Sequence, residues 1–198
     1  MRKPTIYLAG PEVFLPDAAA VGLRKKELCA AYGFEGLFPL DGDPLDGDDQ
    51  EVAAGERLVR AIYRRCEAAI RRADLGIFNL TPFRGPSADA GTVFELGLLV
   101  GLGKRAFGYS NVAADYLSRC RERAALAFDA AQNVWRDPNG MAVEDFGNAD
   151  NLMIDVSLIE RGGHPMVRRD VRTSELFYDL GGFETCLRLA AATLAQSP

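Results

Sequence analysis

Between Ala90 and Gly103 the chain carries a single charged side chain, Glu95. The run AGTVFELGLLVGLG follows the turn formers Gly85, Pro86 and Ser87 and is otherwise small and apolar. It predicts a helix over Ala90–Leu102 that is apolar nearly all round, and such a helix must be buried in a core. A carboxylate is almost never fully buried without a partner, because an isolated buried charge loses more hydration than one hydrogen bond returns. A solvated Glu would have Lys or Arg three or four residues away. Here those positions hold Gly91, Thr92, Leu98 and Leu99, and the nearest acid, Asp89, lies six residues earlier at the helix start. Two readings remain. Glu95 pairs with an Arg distant in sequence, or it is a carboxylate held in a pocket for chemistry.

The segments around this helix alternate in type. Thr5–Ala9 is β-branched and apolar and predicts a first, central strand ending at Gly10-Pro11. Asp17 can cap a helix over Ala18–Tyr32 that Gly33 closes. Gly36–Pro39 offers a second strand, followed by the acidic, turn-rich stretch DGDPLDGDDQ, read as a surface loop. Leu58, Ile62, Cys66 and Ile70 lie four apart in a helix over Ala53–Arg72. Leu75–Leu80 is a third strand, and Arg105–Tyr109, after the Glu95 helix, is a fourth. Strands alternating with helices predict an α/β fold, doubly wound and flavodoxin-like, with a parallel sheet and flanking helices. Ligands in such folds bind beyond the carboxyl ends of the strands. Beyond Tyr109 the pattern weakens: a helix over Ala113–Asp129, a loop over Val134–Asp150, helices over Asn151–Glu160 and Phe183–Ala195. No repeat or linker demands a second domain, so residues 1–198 read as one.

Composition narrows the class. A net charge of -5 gives no electrostatic footprint for nucleic acid or an anionic membrane. No apolar stretch reaches the length of a membrane span, and no signal-length segment precedes Pro11. Cys29, Cys66, Cys120 and Cys186 are scattered without a CxxC pair and read as reduced thiols of a cytoplasmic protein. With the lone His164 between Gly163 and Pro165, no metal-ligand cluster is formed.

Taken singly, Tyr7 is a core aromatic, Asp74 caps the turn before the third strand, and Asp89 caps the Glu95 helix. Together with Glu95 they make three carboxylates and a phenol on neighbouring elements of one sheet. That set suits glycosyl transfer. One carboxylate attacks an anomeric carbon and holds the sugar covalently, while a second carboxyl group protonates the leaving group.

TIYLAGP at the start, DLGIFNL in the middle and DAGTVFELG after it resemble the nucleoside 2-deoxyribosyltransferase family, and NADNLM, Asn148–Met153, resembles that family's segment donated to a neighbouring subunit's site. DAGTVFELG is the most specific of these. The resemblance spans the first three-quarters of the chain. It implies that Glu95 is the nucleophile at C1′ of deoxyribose, that Tyr7 positions it, and that Asp74 protonates the leaving base. It implies further that Asp89 binds sugar hydroxyls and that Gly10 lines the substrate site. Asn151, with Met153 beside it, would reach the adjacent protomer's sugar. The family's base-contacting position falls at Gly42-Asp43, where some members carry Gln, which leaves base preference open. The expected partners are deoxynucleosides, free nucleobases and further copies of this chain, with no cofactor or metal.

Two other readings compete. A nucleoside or nucleoside 5′-monophosphate N-hydrolase would use the same carboxylate and hand the sugar to water. The first loop, AGPEVFLPDA, lacks the Arg and Ser a phosphate site needs, but Arg84 and Ser87 keep that option open. A non-catalytic nucleotide-binding module is the other. The first βα turn lacks G-x-G-x-x-G, so a dinucleotide is not expected.

Overall fold

The computed structural model describes residues 2–41 and 54–195. In chain order the elements are β1 (Thr5–Ala9), α1 (Ala18–Ala31), β2 (Glu35–Leu37), α2 (Ala54–Arg72), β3 (Leu75–Asn79), α3 (Ala90–Gly101) and β4 (Arg105–Ser110). There follow α4 (Tyr116–Arg123), β5 (Ala127–Asp129), β6 (Val134–Arg136), β7 (Ala142–Val143), α5 (Leu152–Gly162), β8 (Val167–Arg168) and α6 (Gly181–Ala195). The strands β2-β1-β3-β4-β8 form one sheet in that order, and every pair in it is parallel. From β1 the chain winds outward to β2 on one side and then returns to build β3, β4 and β8 on the other. The reversal places the ligand-binding crevice of such folds at the carboxyl ends of β1 and β3.

The period-two alternation of β1 sorts its side chains between two cores. Ile6 and Leu8, with Ile77 of β3 and Phe107 and Tyr109 of β4, meet Cys29 of α1 and Phe183 and Leu187 of α6. Tyr7 and Ala9, with Phe78 of β3, meet Ile70 of α2, Leu96 and Leu99 of α3 and Leu158 of α5. Each fully buried Leu, Ile or Phe in these layers contributes about 1.5–3 kcal/mol. Helix α5 lies unusually close to β4: a Cβ on Gly162 would sit 2.1 Å from the Ala106 carbonyl oxygen, which only glycine avoids. On α2, Ile70 is the one fully buried residue among those described. Leu58 and Ile62 of the predicted apolar stripe are exposed, as are Val59 and Tyr63.

The stretch after Tyr109 corrects the sequence reading. The helix expected over Ala113–Asp129 is shorter, confined to α4, which Asp115 caps by accepting from the Ser118 amide at 2.7 Å. The rest, with part of the expected loop over Val134–Asp150, is a three-stranded antiparallel sheet, β5-β6-β7. Phe128 packs across strands on Trp135, with ring centroids 5.2 Å apart, and Arg136 pairs with Asp129 at 3.0 Å. Asp137 turns the chain between β6 and β7 by accepting from the Asn139 and Met141 amides. The two-residue β8 completes the main sheet against Tyr109 and Ser110. Among the described residues, no helix is long and apolar enough to cross a membrane.

Candidate active site

Tyr7 sits mid-strand in β1, opposite Gly76 of β3, and points to the α2–α3 side of the sheet. Asp89 caps α3: its Oδ2 accepts from the Thr92 amide at 2.9 Å and from the Thr92 hydroxyl at 3.0 Å. The cap fixes where α3 begins, and Glu95 falls in its second turn, facing back onto β1. There the Tyr7 hydroxyl donates to Glu95 Oε1 at 2.7 Å. The two residues that the sequence reading placed at the centre of the chemistry are in contact.

The electrostatics follow from burial. Burial raises the Glu95 carboxyl to about 7, against the hydrogen bonds from Tyr7 and Cys66 that favour the carboxylate, with the Asp89 charge adding to the rise. A group at that value is half ionised at neutral pH, a state that serves a nucleophile or a base. Burial, then the neighbouring Glu95, drives the Tyr7 phenol far above its ordinary value, so Tyr7 remains a donor.

Asp74 is not part of this cluster, which corrects the acid role expected for it. It precedes β3 and lies at the amino edge of the sheet, about 15 Å along the strands from their carboxyl ends. Its Oδ2 accepts from the Thr5 amide at 2.7 Å, and its Oδ1 pairs with Arg2 at 2.8 Å. Burial pushes its carboxyl up, but the hydrogen bonds from Arg2 and Thr5 outweigh this and hold it below the ordinary value. It is a carboxylate stapling two strands, with no proton to give at neutral pH.

Gly10 is buried, and the reason for glycine is internal. A Cβ there would fall 2.0 Å from Glu12 Oε2 and 2.7 Å from Asn79 Cβ. Glu12 and Lys25 form an ion pair at 2.5 Å with side chains 1% exposed. Glu12 Oε1 also accepts from Asn79 at 2.8 Å and from Tyr109 at 3.0 Å, and Asn79 in turn holds the Thr81 amide and hydroxyl. This network ties the first loop to the carboxyl ends of β3 and β4. Removing one partner would leave a buried charge uncompensated. Above it, Phe14 stacks on Phe83 with centroids 5.3 Å apart, and the Arg84 guanidinium covers both rings.

Asn151 caps α5, its Oδ1 accepting from the Met153 amide at 3.0 Å and its amide donating to Glu144 at 2.6 Å. Met153 is 72% exposed. Neither contacts Tyr7 or Glu95 of its own chain among the described contacts. Asp43 lies outside the described residues.

Sequence reasoning missed three parts of the site. Cys66 was legible only as one member of an apolar stripe, yet it is half-buried on α2 and is one of the groups that act on the Glu95 carboxyl. Asp150 accepts from the Ser87 hydroxyl and, at 2.9 Å, from the Ala88 amide, and the buried Arg119 clamps Asp150 and the Pro86 carbonyl. Glu12 and Lys25 carried no signal, because their pairing joins a loop to a helix that folds back over it.

A family model described as nucleoside 2-deoxyribosyltransferase matches residues 6–153. The chain is 29% identical over 203 residues to the uncharacterized protein C191.05c of Schizosaccharomyces pombe, covering 98% of this chain and 91% of that one. Its fold is similar to a solved 2-desoxiribosyltransferase from Leishmania mexicana, with a TM-score of 0.55 and 28% identity over 88% of this chain and 94% of the other.

Proposed function

Because this chain belongs to the nucleoside 2-deoxyribosyltransferase family, we propose that it moves 2-deoxyribose between nucleobases through a covalent ester on Glu95. The observation that carries this reading is the contact between a buried donor, Tyr7, and a carboxyl group raised to about 7, at the sheet's switch point. Tyr7 occupies Oε1, so Oε2 attacks C1′. The C1′–O bond forms as the C1′–N bond breaks, and the electron pair leaves with the base. A second base then attacks C1′ from the face the first one left, returning the carboxylate, so configuration is retained over two displacements. The missing 2′-hydroxyl eases positive charge on the ring in both steps, and ribonucleosides react more slowly.

Asp89 is the sugar-binding carboxylate in this reading. Its Oδ2 is engaged by Thr92, and its Oδ1 is the oxygen to accept a sugar hydroxyl. The 5′-monophosphate alternative is disfavoured by the Asp150 carboxylate. It already takes the Ser87 hydroxyl and Ala88 amide that a phosphate would use, and it would repel one.

The active unit is an oligomer of this chain with shared sites. Val59 and Tyr63 of α2, Phe94 of α3, and Met153, Val156 and Ile159 of α5 are exposed on helices covering the same side of the sheet. A second copy seated there would bring Asn151 and Met153 to a neighbour's Glu95. Incubation with a deoxynucleoside and a second free base, with a deoxynucleoside 5′-monophosphate in parallel, tests the reading. Base exchange on the nucleoside supports it. Free deoxyribose as the main product, or turnover of the monophosphate alone, identifies a hydrolase.

A further inference from the structure

The small antiparallel sheet ends beside the start of α5. Its last strand, β7, pairs with β6 through Val143 and Trp135. From α4 the Arg121 guanidinium lies 4.7 Å over the Trp135 ring. Glu144 is the first residue after β7, and the chain returns to it seven residues later, at Asn151. There the Glu144 carboxylate forks. Its Oε1 accepts from Asn151 Nδ2 at 2.6 Å, and its Oε2 accepts from the Leu152 amide at 2.9 Å. That amide is one of the donors that the first turn of a helix leaves without a partner. Asn151 Oδ1 accepts from the Met153 amide at 3.0 Å, and Asp150 Oδ1 accepts from the Asn151 amide at 2.8 Å. Backbone and side chain of Asn151 are thus both fixed within its own chain.

We infer that Glu144 is a positioning residue for Asn151: its carboxylate fixes the rotation of the Asn151 amide that is presented to a neighbouring subunit. The inference rests on the reading, given above, that Asn151 reaches a neighbour's sugar. A helix cap alone does not call for this arrangement. The cap needs one side-chain oxygen, and Asp supplies it as well as Asn does. Asp at position 151 would set a second carboxylate against Glu144, whereas Asn offers it a donor. The reversed amide would put oxygen against carboxylate and N–H against N–H, so one orientation alone is satisfied. Asn carries two N–H donors and two acceptor sites. Among the described residues one of each is engaged within the chain. The other of each can serve a sugar hydroxyl, which both accepts and donates. The bond to Glu144 is charge-assisted, the stronger kind. Without it a single bond would hold the amide, and an arriving sugar would have to immobilise the side chain on binding.

The test is base-exchange kinetics of Glu144→Ala, alone and mixed with two other variants under conditions that exchange subunits. Alone, it should raise KM about 3- to 10-fold with kcat close to the parent's, since binding must then order the amide. An excess of Glu95→Ala chains supplies an intact Asn151 to every Glu95 of the variant, so kcat/KM per intact Glu95 should return to the parent value. An excess of Asn151→Ala chains should create no site better than those of Glu144→Ala itself, because Glu144 and Asn151 serve the same half of the site. Damage to the variant's own Glu95 half gives the opposite pattern: recovery with Asn151→Ala and none with Glu95→Ala. Recovery with Asn151→Ala, no recovery with Glu95→Ala, or parent kinetics in Glu144→Ala would each overturn the inference. Glu144→Ala combined with Asn151→Ala in one chain should be no worse than Asn151→Ala alone, and additive losses would place the action of Glu144 elsewhere. Should Glu144→Ala fail to fold by circular dichroism, Glu144→Gln, which keeps one acceptor of the two, goes through the same mixtures. It should show the same pattern with a smaller rise in KM, and the opposite pattern refutes the role. Failure of Glu95→Ala and Asn151→Ala to complement each other would remove the shared site and the inference with it. Complementation by that pair beside the opposite pattern for Glu144 refutes the role of Glu144 alone.

Discussion

The Tyr7 hydroxyl and Glu95 Oε1 meet at 2.7 Å across 88 residues of sequence, joining β1 to the helix that follows its neighbour β3. The bond turns an otherwise ordinary core tyrosine into the group that orients a half-buried carboxyl. Hydrogen bonds to charged groups contribute about 1.5–3 kcal/mol, so Tyr7→Phe should lower kcat/KM by roughly 10- to 100-fold. Because the bond lowers the Glu95 carboxyl, its loss should also move the acid limb of the rate profile to higher pH. Steady-state exchange rates between pH 5 and pH 9 check both. A phenylalanine variant with parent rates and an unmoved limb would show that the contact is structural only.

Glu95 should destabilise the fold it serves. Its carboxyl is raised from 4.5 to about 7. Between those values the folded state binds more protons than the unfolded one, so stability falls as pH rises through that window and stays lower above it. The difference corresponds to about 3 kcal/mol at most. Glu95→Gln should therefore be more stable than the parent at pH 8, with the gain shrinking as pH falls and absent below the carboxyl's ordinary value. Urea denaturation at pH 4.5 and pH 8 reads this directly. Equal midpoint differences at both values would contradict the raised carboxyl.

Asp74→Asn separates a strand staple from a general acid. The Arg2–Asp74 pair is largely exposed, so its loss should cost well under 1 kcal/mol. The depressed carboxyl contributes stability above its ordinary value and loses it as pH falls. The variant should be slightly less stable at pH 7, converge with the parent in acid, and exchange good and poor leaving bases in the parent's ratio. A selective loss with bases that need protonation to leave would return the acid role to Asp74.

Much of the sheet and the pairing partners of the site were legible in the sequence, for different reasons. Thr5–Ala9 and Leu75–Asn79 are short apolar runs bounded by turn formers, and strands of a buried parallel sheet have little other way to read. Glu95 stood out because its helix offered no charged neighbour. Asp74 was misplaced because sequence order puts it beside the third strand without saying which end faces the crevice. Cys66 was hidden by its spacing, since a thiol four residues from Ile62 and Ile70 looks like any other member of an apolar stripe. The β5–β7 sheet escaped because its strands are two or three residues long, although Asp137-Pro138-Asn139-Gly140 is a turn signature that could have broken the loop assignment.

A shared site makes a prediction about mixtures. Glu95→Ala removes the nucleophile from one chain, and Asn151→Ala removes the reaching amide from another. Each protein alone should lose most exchange activity. Mixed under conditions that exchange subunits, they should regain up to about a quarter of the parent rate per dimer site, as expected for random pairing of one intact half-site from each chain. Mixtures that stay as inactive as their parents, with subunit exchange verified by native mass spectrometry, would place Asn151 outside the neighbour's site.

The most direct measurement is intact-protein mass spectrometry after mixing the protein with a deoxynucleoside and no acceptor base. The account predicts one deoxyribosyl unit per chain, mapped to Glu95 by peptide digestion, discharged when a second base is added, and absent from Glu95→Gln. An adduct on another residue, or full exchange activity in Glu95→Gln, would contradict it.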